Sequence, residues 1–362
     1  MELFKFTSTS GSPFLEGEMI NSAKRITWVE RYREPGEFKI EAPLESGLRE
    51  FLPIGTFISH VNTEEVMLVE DHNYKDDKEK GPYIAVTGRS LEIVTENRIV
   101  GANYAYGTPT PPPPEYILAA APLGAQVATL ISQHILAGQV ADPNDEIPYL
   151  VVTNAIPSEG EQIERVMKRH PVHKAVLELL GLGNYGVRTI RQPDGNVRIE
   201  LHKGIDRSST VSFSWVAGEI DSSEYLLSTR KNKNTALVKG RYVEQMVYTT
   251  GANKYDRRVL LVDASDLDDY LDETPTGALL TDIRTKMTER GQREIRINND
   301  VNIVRSDISD RTKFRYRRDY QVGDIVSIDG AFSAFDNRRV TEFTEIEDEN
   351  GESGHPTLEI LQ

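Results

Sequence analysis

The densest group of side chains able to do chemistry is the run Asp263–Glu273, DASDLDDYLDE. Its Asp263, Asp266, Asp268, Asp269 and Asp272 could in principle hold calcium or supply an acid–base pair of carboxyls. A calcium loop needs oxygen ligands at alternate positions, a glycine at the bend and a terminal Glu, and the run lacks that order. It reads as a solvated loop with helix-capping aspartates. His170 and His173 stand three residues apart, a spacing that suits a metal on a helix. Pro171 between them disturbs that helix, and no nearby carboxylate–His partner completes a site, so both read as structural. The string GLGNYG at 181–186 has the form G-x-G-x-x-G, yet it follows a helical segment. A dinucleotide site needs strand, turn and then helix, so this is a loop. No G-x-S-x-G elbow is present, and no serine has a matching His and Asp in order. The sequence therefore assigns no catalytic, cofactor-binding or metal-ligating residue, and no enzyme activity.

Composition narrows the partners. The chain has 362 residues, enough for two or three domains with substantial cores. Its apolar fraction of 38% and charged fraction of 27% are those of a soluble globular protein. With no cysteine, disulfides and thiolate metal sites are excluded, which suits assembly in a reducing cytosol. The first residues, MELFKFTSTSGSPF, lack the basic and apolar regions of a signal peptide. Tyr116–Ala137 is too interrupted by polar residues and Pro122 to insert in a membrane. A net charge of -15 argues against DNA as a bound partner, because phosphate affinity comes from clustered Lys and Arg. It leaves room for a surface past which nucleic acid slides. Arg230–Lys239 and Lys313–Arg318 are locally basic, and the second alternates with aromatics as a strand with one buried face would.

These residues must be positioned by a chain that begins and ends in β structure. Ile26–Arg33 and Phe38–Glu41 read as a hairpin, with Pro35-Gly36 placed for a type II turn. Thr56–Val61 and Glu65–Asn73 form a second hairpin, Tyr83–Thr87 extends the sheet, and a short helix follows Gly88 over Ser90–Arg98. Gly107–Pro114, GTPTPPPP, is a semi-rigid polyproline spacer. Beyond it, Glu115–Leu136 reads as helical apart from Pro122. Gln162–Leu180 puts Ile163, Val166, Met167, Val176, Leu179 and Leu180 on one helical stripe, broken at Pro171 and stopped by Gly181 and Gly183. Strands resume at Val187–Gln192 and Val197–His202 around a Pro-Asp-Gly turn. Further strands are expected at Val211–Trp215, Glu224–Thr229, Ala236–Val243 and Val259–Val262. A helix over Gly277–Arg290 should stop at Gly291.

One pattern occurs twice. Ile54–His72 and Val322–Asp348 each open with an apolar residue and a glycine, run into a short strand, turn, and return through an alternating strand ending in acidic residues. A hairpin used twice suggests two related β-modules, a scaffold design more than an enzyme design.

Four stretches together resemble the ReqiPepy-type tail-protein family of long-tailed phages and prophages. They are WVERYREPGEFKIEAP (28–43), VTGRSLEIVTENRIV (86–100), RRVLLVDASDLDD (257–269) and FRYRRDYQVGDIVSI (314–328), in the family's order. Within the second, Gly88-Arg89-Ser90 could look like a phosphate cradle; as the family motif it is the turn into a short helix, with Arg89 tied to a neighbouring carboxylate. The resemblance implies a mainly β fold with α insertions (α+β): two tube-like β-barrel domains, the second split, with helical insertion domains. The expected boundaries are 1–107 for the N-terminal barrel and 108–186 for the proline linker and helical insertion. The split second barrel takes 187–248 and 300–362, around a small α/β insertion at 249–299. The implied role is a structural baseplate or tail-tip hub, a homotrimer whose six barrels match a hexameric tail tube. Its implied partners are the distal tail protein, the tape-measure protein and other tail-tip proteins, with genomic DNA only in transit. It would be assembled in the host cytoplasm and located in the virion. The end of the chain at Gln362, soon after the second barrel, suits a compact hub. Two other readings stay open: a tail-associated cell-wall hydrolase, and a module that binds host carbohydrate through aromatics such as Tyr104, Tyr106 and Tyr116.

Overall fold

The computed structural model describes residues 2–6, 17–77, 81–101, 116–136, 138–140, 143–158, 162–228, 232–248, 257–268, 270–298, 301–309, 312–330 and 333–360. The polyproline spacer at 107–114, Tyr104, Tyr106 and Asp269 lie outside them.

One sheet draws strands from both ends of the chain. From the N-terminal region come β1 (Leu3–Phe6), β2 (Glu18–Met19), β3 (Arg25–Arg31), β4 (Glu37–Pro43), β5 (Phe57–His60), β6 (Val66–Asp77) and β7 (Gly81–Ser90), with the one-turn helix α1 (Leu48–Phe51) between β4 and β5. From the later chain come β13 (Ser212–Ser214), β19 (Ile325–Gly330), β20 (Ser333–Asp348) and β21 (Gly351–Ile360). The hydrogen-bonded order is β13-β19-β20-β3-β4-β7-β6-β5-β1-β2, with β21 on the other side of β20. The fold is mainly β, and no closed barrel forms among the described residues. The reason is the length of β20. Its 16 residues pair with β19 in the first half and with β3 in the second, so the two modules share one sheet. The N-terminal part still curls. Trp28 on β3 meets His60 on β5 with ring centroids 5.7 Å apart, although three strands separate them in hydrogen-bonded order. Leu3, Trp28, Phe38, Ile40, Ile58 and Val86 are buried inside the curl.

The hairpin that occurs twice in sequence is the same object twice in space. Gly55 and Gly323 both take left-handed backbone, with φ of 88° and 96°. Gly55 N–H donates to Val69 O at 2.8 Å, and Val69 N–H returns to Thr56 O at 2.9 Å. Gly323 N–H donates to Val340 O at 2.7 Å, and Val340 N–H returns to Asp324 O at 2.9 Å. The first strand pair then begins in equal register, Phe57 opposite Leu68 and Ile325 opposite Arg339. Each return strand bulges one residue later, between Val69 and Asp71 and between Val340 and Glu342. A bulge in the same place twice marks a kept feature of the module.

Between the modules lies an insert of two layers. β9 (Leu150–Asn154), β11 (Gly186–Arg191) and β12 (Val197–His202) form a three-stranded sheet, and β8 (Tyr116–Ala121) pairs with β10 (Ile163–Met167). Helices α2 (Leu123–Ile135) and α3 (Val172–Gly183) pack on them, burying Val127, Leu130, Ile131, Val176, Leu179 and Leu180. The sheet thus takes residues 187–202, which the sequence reading placed in the second barrel; β12 pairs in parallel with β9. Two segments read as helical are strands, 116–121 and 163–167. Pro122 and Pro171 stand at the N-caps of α2 and α3 and do not kink a longer helix. A proline drives the residue before it to extended backbone, so each helix can begin only after its proline.

A second insert packs helix α4 (Gly277–Ile297) on β15 (Thr235–Lys239), β16 (Glu244–Tyr248) and β17 (Val259–Asp263). This also removes 235–248 from the second module. α4 runs through Gly291, where a stop was expected. A Cβ there would stand 2.7 Å from Val247 and 2.8 Å from Val238, so the glycine serves close helix–sheet contact. β14 (Ile220–Ser228) and β18 (Val301–Ile308) pair antiparallel as the remaining ribbon. At the first hairpin, Gly36 is absent from the residues with positive φ, so the turn is not type II. A Cβ at Gly36 would lie 2.6 Å from Val29 O, and space is what requires the glycine. The short helix after Gly88 is a 3-10 turn over Leu91–Asn97.

The repeated glycine yields a graded test. Gly55→Ala meets only left-handed strain and should cost about 1 kcal/mol. Gly323→Ala adds contact with the Tyr32 ring at 2.6 Å and should cost about 2–4 kcal/mol in chemical denaturation. Equal losses would contradict the packing described here.

Candidate functional site: a charged junction between the β-modules

The modules join where β20 runs antiparallel to β3, with Glu342 opposite Arg31, Phe343 opposite Glu30 and Glu345 opposite Trp28. Arg31 donates from Nε to Glu342 Oε2 at 2.6 Å and from Nη2 to Glu37 Oε1 at 2.8 Å. It therefore ties β3 to both neighbouring strands. Arg317 reaches in from the loop before β19. Its Nη2 lies 2.9 Å from Glu30 Oε1 and 2.8 Å from Glu345 Oε2, bridging one carboxylate from each module. The residue holds a left-handed φ of 67°, a strain of about 1–2 kcal/mol for a residue with a Cβ. Tyr316 donates its hydroxyl to Glu30 Oε2 at 2.5 Å and stacks on Phe343 with centroids 3.7 Å apart. Burial first, and then the Glu30 charge, push the Tyr316 phenol well above its ordinary value, so it remains a donor. Burial pushes the Glu345 carboxyl up, against the pull of Arg317.

Tyr32 joins the helical insert to the same seam. It is 1% exposed. Its N–H donates to Thr341 O on β20 at 2.9 Å, and its carbonyl accepts from Val187 N–H on β11 at 3.0 Å. Its hydroxyl donates to Asn184 O at 2.9 Å, and Arg339 lies over its ring at 5.0 Å. His202 meets the ring edge-on at 5.3 Å. A Cβ at Gly186 would sit 2.3 Å from that ring, which explains the glycine.

Two further carboxyls are buried beside the seam. Glu92 accepts from Ser90 Oγ at 2.6 Å and from Thr189 Oγ1 at 2.9 Å, linking the 3-10 turn to β11. Burial raises its carboxyl, and those hydroxyls oppose the rise. Glu65 lines a cavity of about 180 Å³ together with Glu30, Arg188, His202 and Arg317. Desolvation drives the His202 imidazole down to about 3, aided by Arg188 and Arg339. Desolvation also drives His60 down to about 3, aided by Arg317. Both imidazoles are neutral in the folded chain.

The groups singled out in sequence have other work. Asp268, fully buried, accepts backbone N–H bonds from Arg241, Tyr242 and Val243 at 2.7, 2.8 and 3.0 Å. Asp266 chelates Arg290 through two bonds of 2.5 and 2.7 Å. The run is therefore partly a buried anchor for the second insert, where a solvated loop was expected. His170 faces Glu178 at 3.6 Å and His173 faces Glu34 at 3.9 Å, two separate partners. No group of three or more His, Asp or Glu able to hold a metal occurs among the described residues. Gly181–Gly183 ends α3, and Asn184 caps it in left-handed backbone. Arg89 does bind a carboxylate, with Nε and Nη2 each 2.7 Å from Glu70. The basic stretch at 313–318 is a turn, not a strand; Arg317 faces inward and Arg318 pairs with Asp319 at 2.7 Å. Tyr116 is buried and donates to Gln133 at 2.6 Å, so it offers no open ring to a sugar. No described helix is long and apolar enough to cross a membrane.

Sequence reasoning missed Glu30, Tyr32, Glu65, Arg317 and Glu345 as a site. The available signal was that the motifs at 28–43 and 314–328 supply Glu30, Tyr32, Tyr316 and Arg317.

Two outcomes follow from the junction. Arg317→Ala leaves Glu30 and Glu345 facing each other and should cost about 2–4 kcal/mol, whereas exposed Arg318→Ala should leave the denaturation midpoint nearly unchanged. Denaturant titration of both variants checks the contrast. The histidines set an acid limb. Their folded values lie below the unfolded one, so their contribution is present above about pH 6.5 and is lost as pH falls toward about 3. His202→Gln should flatten that limb in melting curves recorded across the window.

The comparisons agree with this architecture. A family model described as Siphovirus ReqiPepy6 Gp37-like protein matches residues 14–358. The 43 kDa tail protein of prophage MuSo2 from Shewanella oneidensis is similar in fold, with a TM-score of 0.56 at 13% identity over 99% of this chain and 96% of that one. The tail protein from Neisseria meningitidis MC58 gives a TM-score of 0.54 at 11% identity, over 99% and 96%. No curated protein sequence matches the chain. With the model spanning nearly its whole length, the chain belongs to the siphovirus ReqiPepy6 Gp37-like family of phage tail proteins.

Proposed function

We propose that this tail protein is a structural hub of the tail tip or baseplate, without catalytic activity. It closes the end of the tail tube, links the distal tail ring to the tip, and leaves a channel for DNA. The observation that carries the reading is the duplicated hairpin, repeated in backbone conformation, hydrogen bonding, register and bulge. A chain that carries one module twice presents six modules as a homotrimer, which matches a hexameric tube. The outer strands β13 and β2 end the sheet, and edges of this kind are commonly covered by a neighbour. In this reading the neighbours are further copies, the distal tail protein and the tape-measure protein, assembled in the host cytoplasm and carried into the virion. The net charge of -15 suits a lumen that does not retain DNA.

A cell-wall hydrolase would need a free pair of carboxyls, and Glu30 and Glu65 share a cavity. Glu30 already accepts Tyr316 on one oxygen and Arg317 on the other, which leaves it poorly placed to attack or to relay a proton.

Mass photometry and negative-stain imaging of the purified chain, alone and with its distal tail partner, test the hub. Three-fold particles with a central opening are expected. Monomers under both conditions, together with release of sugar from purified cell walls, would overturn it.

A further inference from the structure

Glu65 is an acidic side chain buried at the junction on the wall of a cavity it shares with a second carboxyl, Glu30. It is 7% exposed and lines the cavity between the modules and the helical insert. Its backbone N–H donates to Thr63 Oγ1 at 3.4 Å, its residue bridges to Ile190 on β11, and its side chain lines the cavity. Such a group is costly to bury as an anion and far less costly as a neutral acid.

Its surroundings point the same way. From β3, Glu30 faces it with a charge held in place by Tyr316 and Arg317. From the 3-10 turn, Glu92 adds a second acidic group. Arg188 on β11 faces it as a cation, but that guanidinium is already engaged by Glu200 at 2.9 Å. Arg31 is engaged by Glu37 and Glu342 in the same way. His202 on β12 is held neutral. Burial first, then Glu30 and Glu92, raise the Glu65 carboxyl, while Arg317 and Arg188 oppose.

We propose that Glu65 is a proton-operated latch on the seam between the two β-modules: protonated, it lets β3, β11 and β20 close together, and on ionising it loosens them. The geometry explains the reach. Glu65 bridges to β11, which bonds Tyr32, which bonds Thr341 on β20. A second negative charge beside Glu30 competes for Arg317, the cation that joins the modules. The sign is fixed by linkage. A carboxyl whose folded value is raised contributes fully below its unfolded value, and that contribution is lost as pH rises through the folded value. The proposal stands apart from the hub reading, because it concerns the contacts within one chain.

Hydrogen exchange of the Tyr32 and Val187 amides, corrected for intrinsic rates, reads the seam directly. As pH rises above the ordinary carboxylate range the wild-type chain should lose about tenfold in protection, while Glu65→Gln, which mimics the protonated acid, stays flat. Glu92→Gln, which removes one of the groups that raise Glu65, should keep the loss of protection and move it to lower pH. Should Glu65→Gln fail to fold, carbon-13 titration of the glutamate carboxyls in the wild-type chain decides. The Glu65 carboxyl must hold its proton to higher pH than the exposed glutamates do. Parallel exchange profiles in wild type and Glu65→Gln, or a Glu65 carboxyl that titrates with the exposed glutamates, would overturn the latch.

Discussion

The constraint on which the rest depends is the pairing of β3 with β20, strands whose tied residues Arg31 and Glu342 are 311 positions apart. Closing so long a loop costs entropy before any contact rewards it, although the cost grows only slowly with length. What the structure must supply is register. A slip of one residue would turn each side chain on β20 to the other face, separating Glu342 from Arg31 and Glu345 from Arg317. Tyr32 then adds the third body. Its N–H bonds one module and its carbonyl the helical insert, so docking the insert and seating β20 are parts of one event.

The junction is charged where it could have been apolar, and that choice has a cost. Buried ion pairs seldom stabilise a fold more than well-packed hydrocarbon of the same volume. They do discriminate strongly between arrangements, because an unmade bond leaves a desolvated charge behind. Arg317 accepts left-handed strain in order to span Glu30 and Glu345, and Tyr316 beside it combines the stack on Phe343 with the bond to Glu30. Apolar packing and polar specificity come from adjacent residues of one turn. The larger apolar cores lie inside the curl around Trp28, which itself stands opposite Glu345, and beneath α2 and α3.

The parts of the fold legible in sequence were those set by local chemistry. The hairpins at 25–43 and 57–77, the strands flanking Pro193-Asp194-Gly195, and the α4 helix all follow from turn residues and short-range period. The repeated apolar–Gly signal led to a true structural duplicate, because a left-handed glycine is a backbone requirement visible in the residue itself. Local signals failed where tertiary contact overrode them. Tyr116–Ala121 has a helical composition, yet Tyr116 and Leu118 are buried at strand period beside β10. Gly291 looks like a stop, yet it lets α4 approach Val238 and Val247. The motifs at 28–43 and 314–328 held part of the charged junction, but not its assembly. Glu30, Glu65, Glu92, Arg317 and Glu345 are scattered along the chain; the pairing of β3 with β20 brings Glu30 and Glu345 to Arg317, and β11 holds Glu65 and Glu92 beside them.

The duplicated hairpin shows how one chain can carry two copies of a module without being symmetric. Glycine, return bond, register and bulge are held in both copies, while their outer neighbours differ: β5 takes β1 antiparallel, and β19 takes β13 in parallel. The side chains beside the glycines diverge as well. Thr56 adds a backbone bond from its N–H to Pro53 O at 3.1 Å, whereas Asp324 accepts from Ile205 N–H and Arg207 Nε at 2.8 and 2.7 Å and anchors the segment leading to β13. The invariant part is thus the backbone device that starts a bulged, curling pair of strands. The variable part decides what is joined to it. Because bulges and left-handed glycines set sheet curvature through backbone geometry alone, curvature can be kept while the flanking surfaces change. A scaffold built this way offers two similar curved modules with different edges, and the single seam between them fixes how those edges are set.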